Sequence, residues 1–417
     1  MRPLRFCMLT TFYPPFNFGG DGIGVQRLSR ALVRRGHQVT VVHDVDAFNI
    51  LHRGRNPEAR QKEDGVDVRP LRTGFKLAST LMTQQLGRPI INGRRIRAIL
   101  NTGNFDVVQF NNISLIGGPG LLSYGGQAVK IYEAHEHWLV CPTHVLWRHN
   151  REPCPRRQCI RCSLHHHRPP QLWRHSGFLR RQLRQVDALI AKSHFSRDKH
   201  REFGLKNNME VVPYFLPTSN DVLSEGMASS PHPRPYFLFV GRLERIKGLD
   251  DVIPVFSDYT DADLLVVGSG EYGDQLRNLA DNNPRIEFLG RIDPEQLKRY
   301  YRHALALIVP SICFETFGII LIEAFQNGTP VIARRIGPFP EIVNKSSAGL
   351  LFEDPLELLK AMRAIQHDPA LRADLIRNGK ESFSTYWSED AVLPAYFDVL
   401  RRAARSAGNY GVISALS

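Results

Sequence analysis

The sequence predicts an α/β protein of two doubly wound, Rossmann-like domains facing a central cleft. Three observations carry that expectation. Short apolar runs alternate with helical patterns along most of the 417 residues, the rhythm of parallel sheets covered on both faces. A chain of that length exceeds one ordinary core. The rhythm breaks at 213–235, where Pro213, Pro217, Pro231, Pro233 and Pro235 stand among Ser and Asn, and then restarts.

The elements follow in order. In the first domain, 1–212, a buried strand is expected over 6–10. A helix over 25–35 follows, with Val25, Leu28, Ala31 and Leu32 on one face and Gly36 as its stop. Further strands are expected over 39–43, 106–110, 129–132, 188–191 and 211–212. After the linker at 213–235, the second domain, 236–385, repeats strand and helix. Its pairs are 237–240 with 248–256, 264–267 with 272–281, 286–289 with 294–303, and 305–309 with 317–326, before a strand at 331–333. A last helical segment, about 388–405 within 386–417, comes after all the strands. Ligands of such sheets sit beyond the strand carboxyl ends, which makes the cleft the expected site.

Composition excludes several classes. No apolar run approaches the ~20 residues of a membrane span. The run Phe6-Cys7-Met8-Leu9 is too short for a secretory signal, so a cytoplasmic location is expected. Six Cys do not make a disulfide scaffold. The net charge of +13 is split: residues 1–212 carry +18 and residues 213–417 carry −5. A uniformly basic nucleic-acid coat is therefore not expected, and the first domain's charge needs its own explanation.

The richest stretch runs from Ser311 to Ala324. Glu315 is expected at a helix start, where free N–H groups favour an anion, and Thr316, Phe317 and Gly318 would offer those groups to a phosphate. Glu323 would lie about 12 Å further along a regular helix. It is embedded among Ile319, Ile320, Leu321, Ile322 and Ala324, where an unpaired carboxylate is costly. The plainer alternative makes Glu315 a cap and Glu323 an ion-pair partner. Arg242 and Lys247 follow the second domain's first strand, one a planar fork and the other a point charge, both suited to a diphosphate. Gly19 and Gly20 follow the first strand of the chain, where bare glycines let backbone approach a ligand.

Four marks now stand in order: Pro14-Pro15 with Gly19-Gly20, Gly241-Arg242 with Lys247-Gly248, Glu315-x-Phe317-Gly318 with Glu323, and Gly337 with Pro340-Glu341. In that order and spacing the chain resembles the family 4 retaining glycosyltransferases of the GT-B fold along essentially its whole length. The resemblance implies transfer of a sugar from a nucleotide diphosphate, UDP or GDP, to an acceptor hydroxyl, with no metal required. It implies that Arg242 and Lys247 hold the donor diphosphate and that Glu323 binds ribose. It further places Glu315 by the donor sugar and closes Gly19 and Gly20 on phosphate or sugar. Thr316, Phe317, Gly318, Ile319 and Gly268 join the expected donor contacts. It also implies that the final helix crosses back onto the first domain.

His135 follows the strand at 129–132 in the segment Glu133-Ala134-His135-Glu136. The family often carries His-Asp there, the His reaching the donor sugar; here Glu136 replaces the Asp. With Arg242, Lys247 and Glu315, His135 completes the expected catalytic set. Downstream, within an insertion at about 141–184, come Cys141, Cys154, Cys159 and Cys162, either a structural zinc site or four reduced thiols. Nine Arg lie between 151 and 184, with Glu152 the only acidic residue. An anionic membrane surface and a glycan or lipid-linked acceptor are the expected partners, which would place the protein peripherally on the inner face of the cell membrane. Two alternatives stand beside this. One is an Arg-rich, zinc-containing RNA-binding protein. The other is an NAD-dependent oxidoreductase using Gly268, Gly270 and Gly273, although that motif follows the second strand of its domain rather than the first.

Overall fold

The computed structural model describes residues 2–52, 57, 62–217 and 229–416. It divides into two compact units, residues 1–217 with 392–417 and residues 218–391. Residues 218–228 of the expected linker lie outside the described residues.

The first unit contains β1 (Arg5–Thr10), β2 (Gln38–Asp44), β3 (Lys62–Glu63), β4 (Val66–Leu71), β5 (Val107–Phe110) and β6 (Val129–Ala134). β7 (Trp147–Arg148), β8 (Glu152–Pro153), β9 (Ala188–Ala191) and β10 (Glu210–Val211) complete it. Eight of these form one sheet in the order β10-β9-β6-β5-β1-β2-β4-β3, while β7 and β8 make a separate antiparallel ribbon. The order reverses between β1 and β5, which puts the ends of those two strands at the switch point of the sheet. β4 escapes sequence reading because its charges and Pro70 mask the alternation.

The second unit contains β11 (Tyr236–Val240), β12 (Asp263–Val267), β13 (Ile286–Gly290), β14 (Leu307–Val309), β15 (Val331–Arg334) and β16 (Gly349–Phe352). All are parallel, in the order β13-β12-β11-β14-β15-β16. The order reverses between β11 and β14. Phe237, Leu264, Ala306 and Ile332 are among the fully buried side chains of its core.

Three expectations need correction. The helix expected over 248–256 is instead two short 3-10 turns, Leu249–Asp251 and Ile253–Ser257. Pro254 has no N–H to close an α-helical bond there. The expected helix at 317–326 begins at Ile319, because Gly318 takes φ +106° and interrupts helical geometry. The start of the expected linker belongs to the first unit: Tyr214, Phe215 and Leu216 are buried. At the other end of the chain, helix Glu389–Ser406 enters the same unit, and Val392, Leu393, Tyr396, Val399 and Leu400 join the core that holds Phe6, Met8 and Leu28.

Candidate active site

In the second unit, the loops after β11 and β14 leave neighbouring strands on opposite sides of the reversal, and they touch. Ile312 N–H donates to the Ile246 carbonyl at 2.9 Å. Gly248 takes φ +74°, and a Cβ there would stand 2.1 Å from the Pro310 carbonyl oxygen. Only glycine lets the loops approach so closely. Arg334, at the end of β15, ties them further. Its Nε donates to the Pro310 carbonyl at 3.0 Å and its Nη2 to Asp251 Oδ2 at 2.5 Å. Gly337 lies against Phe314 and Glu315. Three segments thus meet around one carboxylate.

That carboxylate is Glu315. Lys247 Nζ donates to its Oε1 at 2.5 Å, and Ser311 Oγ donates to the same oxygen at 3.4 Å. Burial alone would lower the Lys247 pKa, but the Glu315 carboxylate outweighs it and holds Lys247 above the ordinary lysine value. Burial would likewise raise Glu315, and Lys247 outweighs that, so Glu315 stays below the usual carboxylate range. The pair is charged at neutral pH. Arg242, with its side chain 50% exposed, binds Glu244 Oε1 through Nη1 at 2.5 Å. Each of the two cations assigned to a diphosphate therefore has a carboxylate partner.

Glu315 is not at a helix start. It stands in the loop four residues before Ile319, so Thr316, Phe317 and Gly318 precede the helix, and the distance expected from a regular helix does not apply. Phe317 is buried, and a Cβ on Gly318 would stand 2.8 Å from the ring of Phe339. Glu323 is half-buried on helix Ile319–Gln326 and accepts from the Tyr301 hydroxyl at 3.4 Å. Gly268 and Gly270 have a packing reason of their own: a Cβ would stand 1.8 Å from the Gly241 carbonyl oxygen at the first and 2.2 Å from that of Leu243 at the second. Their spacing follows from two loops crossing, which removes the ground for the dinucleotide alternative.

In the first unit, Gly19 and Gly20 open helix Gly20–Arg34, five residues earlier than the apolar pattern indicates. Asp21 in its first turn accepts from Asn112 Nδ2 at 3.0 Å and is close enough to act electrostatically on His135. His135 follows β6. Its Nδ1 lies 2.6 Å from the Tyr214 hydroxyl and its Nε2 lies 3.0 Å from Asn111 Oδ1. The side chain is 1% exposed, and burial lowers its pKa to about 4, so the ring is neutral at pH 7. The ring on which sequence reading places a donor sugar thus has both nitrogens engaged within the protein. Glu136 points elsewhere, with Oε2 2.6 Å from His144 Nδ1.

Behind His135 runs a buried polar chain that sequence reading misses. Tyr396, on the C-terminal helix, donates to Gln109 Oε1 at 2.7 Å; Gln109 donates to Glu133, and Glu133 pairs with Lys192. Lys192 in turn lies over the Tyr214 ring, 4.6 Å from its centroid. The available signal was a charge inside an apolar run: Glu133 in Val129–Ala134 and Lys192 after Ala188–Ala191.

Cys141, Cys154, Cys159 and Cys162 all line one small cavity with Leu146, Trp147 and Phe203, and all four are free thiols. Among the described residues no three His, Cys, Asp or Glu side chains stand at metal-binding geometry. No helix among them is long and apolar enough to cross a membrane.

Comparison with known proteins adds the following. A family model described as Glycosyltransferase Family 4 matches residues 18–220, and one described as Glycosyl transferases group 1 matches residues 227–382. The chain is 25% identical to a glycogen synthase of Mycobacterium tuberculosis, over 96% of this chain and 95% of that one. It is 33% identical to a phosphatidyl-myo-inositol mannosyltransferase of Mycobacterium leprae, over 51% of this chain and 59% of that one. In fold it is similar to a sucrose-phosphate synthase of Thermosynechococcus elongatus, with TM-score 0.73, 20% identity, and 96% and 98% of the two chains covered. It is also similar to Anabaena HepE, solved in complex with UDP-glucose, with TM-score 0.65, 16% identity, and 95% and 99% covered.

Proposed function

The chain belongs to the family 4 glycosyltransferases of the GT-B fold, and from that premise we propose that it moves a sugar from a UDP- or GDP-sugar to an acceptor hydroxyl with retention at the anomeric carbon. The observation that carries this reading is the cluster of loops after β11 and β14, which gathers Arg242, Lys247 and Glu315 at the switch point of one sheet. The UDP-glucose complex of HepE supports a nucleotide-sugar donor.

In the proposed reaction the bond from the anomeric carbon to the diphosphate oxygen breaks and a bond to the acceptor oxygen forms on the same face. The acceptor proton passes to the departing phosphate oxygen. Lys247 and Arg242 stabilise the leaving diphosphate charge, worth ~3–4 kcal/mol for a well-placed donor. Glu315 sits by the donor sugar and holds Lys247 in place until the diphosphate arrives. Glu323 receives ribose hydroxyls, and Gly268 and the backbone from Thr316 to Ile319 line the donor. Gly19 and Gly20 supply close backbone approach in the first unit. His135 enters as a positioning residue, because Tyr214 and Asn111 occupy its two nitrogens. Catalysis on this scheme calls on no metal ion.

A thermal-shift screen of UDP-, GDP- and ADP-sugars tests the donor class. Stabilisation by one nucleotide class and a product with the donor's anomeric configuration are expected. An inverted product rules out the mechanism.

We further propose a lipid-linked glycan as acceptor, with the first unit held on anionic membrane. Supporting this, Phe75, Leu77, Leu81, Met82 and Leu86 are exposed on and beside helix Lys76–Leu86, next in sequence to exposed Arg72, Lys76, Arg88, Arg94 and Arg95. Vesicles containing phosphatidylglycerol should bind the protein and release it with salt, and Leu77→Asp/Leu81→Asp should abolish binding. The four-thiol cavity is the proposed site of a structural zinc ion. About one equivalent is expected after native purification, and less than a tenth overturns that assignment.

A further inference from the structure

The first unit holds a second cavity, of about 740 Å3, that no residue of the proposed donor site lines. Its volume is within the roughly 300–1,000 Å3 typical of small-molecule sites. Arg157, Arg161, Arg174, Arg180 and Lys206 line it, and no carboxylate does. None of these five cations has an ion pair among the described residues. Gathering like charges without a counter-charge is repulsive, and a bound anion relieves it.

Arg174 differs from the other four in being held rigidly. Its guanidinium carbon lies 5.2 Å from the Trp138 ring centroid and 4.6 Å from that of Trp173, so two indoles fix its position. Nε donates to Gln171 Oε1 at 2.6 Å and Nη1 to the Leu139 carbonyl at 3.5 Å. Nη2 is buried and has no hydrogen-bond partner. A buried donor without an acceptor is costly, and a guanidinium already held in place loses little entropy on binding an oxyanion. Beside the polar Gln158, His175 and Asn207, the wall carries an aliphatic set, Leu139, Ile160, Leu179, Leu183 and Leu205. Charge and apolar surface in one cavity select a ligand that has both.

We propose that this cavity binds the phosphate or diphosphate head of an amphipathic ester, with Arg174 as its fixed anchor. The site rests on the transferase reading only for its use, as the place where a phosphorylated acceptor is held. Binding itself needs no sugar donor.

Calorimetry on the full chain without donor tests it, using inorganic pyrophosphate, farnesyl diphosphate and phosphatidylglycerol vesicles as probes. Farnesyl diphosphate should bind at least about tenfold more tightly than pyrophosphate, since the aliphatic wall contributes. Arg157→Gln/Arg180→Gln alters two exposed positions and should weaken farnesyl diphosphate at least about tenfold, while UDP binding in the same sample stays unchanged. Arg174→Gln should weaken it further, with UDP binding again reporting an intact fold. Competition by vesicles identifies a membrane headgroup as the source, and its absence identifies a soluble ester. Failure of wild-type protein to bind farnesyl diphosphate below about 1 mM, or unchanged affinity in the variants, overturns the proposal. Loss of UDP binding by wild-type protein would instead refute the donor reading and leave this result standing.

Discussion

Lys247→Ala separates the two tasks that the structure gives this lysine. Its ammonium is 2.5 Å from Glu315 Oε1, with side chains 21% and 26% exposed. Breaking a fully buried pair costs ~3–5 kcal/mol, and an exposed pair is worth ~0–1. At intermediate exposure the stability loss should be about 1–3 kcal/mol. The catalytic loss is separate. If Lys247 stabilises the leaving diphosphate, removing it should cost ~3–4 kcal/mol of transition-state stabilisation, or roughly 100- to 1,000-fold in kcat. The intact donor should bind only modestly less well, because the charge that matters develops as the bond breaks, whereas the free nucleoside diphosphate already carries that charge and should weaken more. Glu315 supplies an internal check. Without Lys247, burial dominates and its pKa should rise above the ordinary carboxylate value. In wild-type protein the depressed Glu315 contributes stability that is present above its unfolded pKa and lost as pH falls through the folded one. The variant should lack that contribution. Initial rates with the donor found by thermal shift, nucleotide calorimetry and urea unfolding at pH 7 and pH 4 measure all of this. Turnover within threefold of wild type, with the fold intact, would refute the assignment of Lys247 to the diphosphate.

Other outcomes are expected from the same geometry. Glu323→Ala should weaken the free nucleotide diphosphate about 10- to 100-fold, the worth of a hydrogen-bonded charged group; an unchanged dissociation constant in calorimetry argues against a ribose contact. Gly268→Ala should destabilise the second unit by at least about 2 kcal/mol in urea, since φ is +137° and the added methyl collides with the Gly241 carbonyl; wild-type stability would contradict the loop crossing. Burial lowers His43 to about 3, and His135 and His200 to about 4. Between pH 6.5 and 4 the unfolded chain binds up to three more protons than the folded one at these residues. Asp44, which burial raises to about 7, binds one more proton folded than unfolded across that window and offsets one of the three, so stability should fall as pH drops by as much as about 3 kcal/mol per pH unit. A flat urea midpoint across that window would sink the assignment. Tyr396→Phe should cost about 1–2 kcal/mol by unpairing Gln109, and stability equal to wild type would mean that the C-terminal helix holds by apolar packing alone.

The sequence by itself determined the class of the fold and pointed to the residues proposed for the donor. Alternation of apolar runs and amphipathic helices is a local property, so strands β11 to β15 and the loops that follow them are legible without coordinates. Arg242, Lys247 and Glu315 stand immediately after such strands, where a parallel sheet collects its ligand-binding loops. Only the tertiary structure decided what those residues touch. Lys247 and Glu315 are 68 positions apart and meet because β11 and β14 are neighbours, an order that no local pattern encodes. The same holds for His135, whose partners Asn111 and Tyr214 come from two distant segments. The GxGxxG spacing at Gly268 looks like a cofactor loop until the crossing backbone of Gly241 shows why side chains are excluded. Arg174 was one arginine among nine in its stretch until two tryptophans, Trp138 and Trp173, fixed it. Periodicity and spacing are properties of neighbours along the chain; pairing, burial and orphaned donors are properties of neighbours in space.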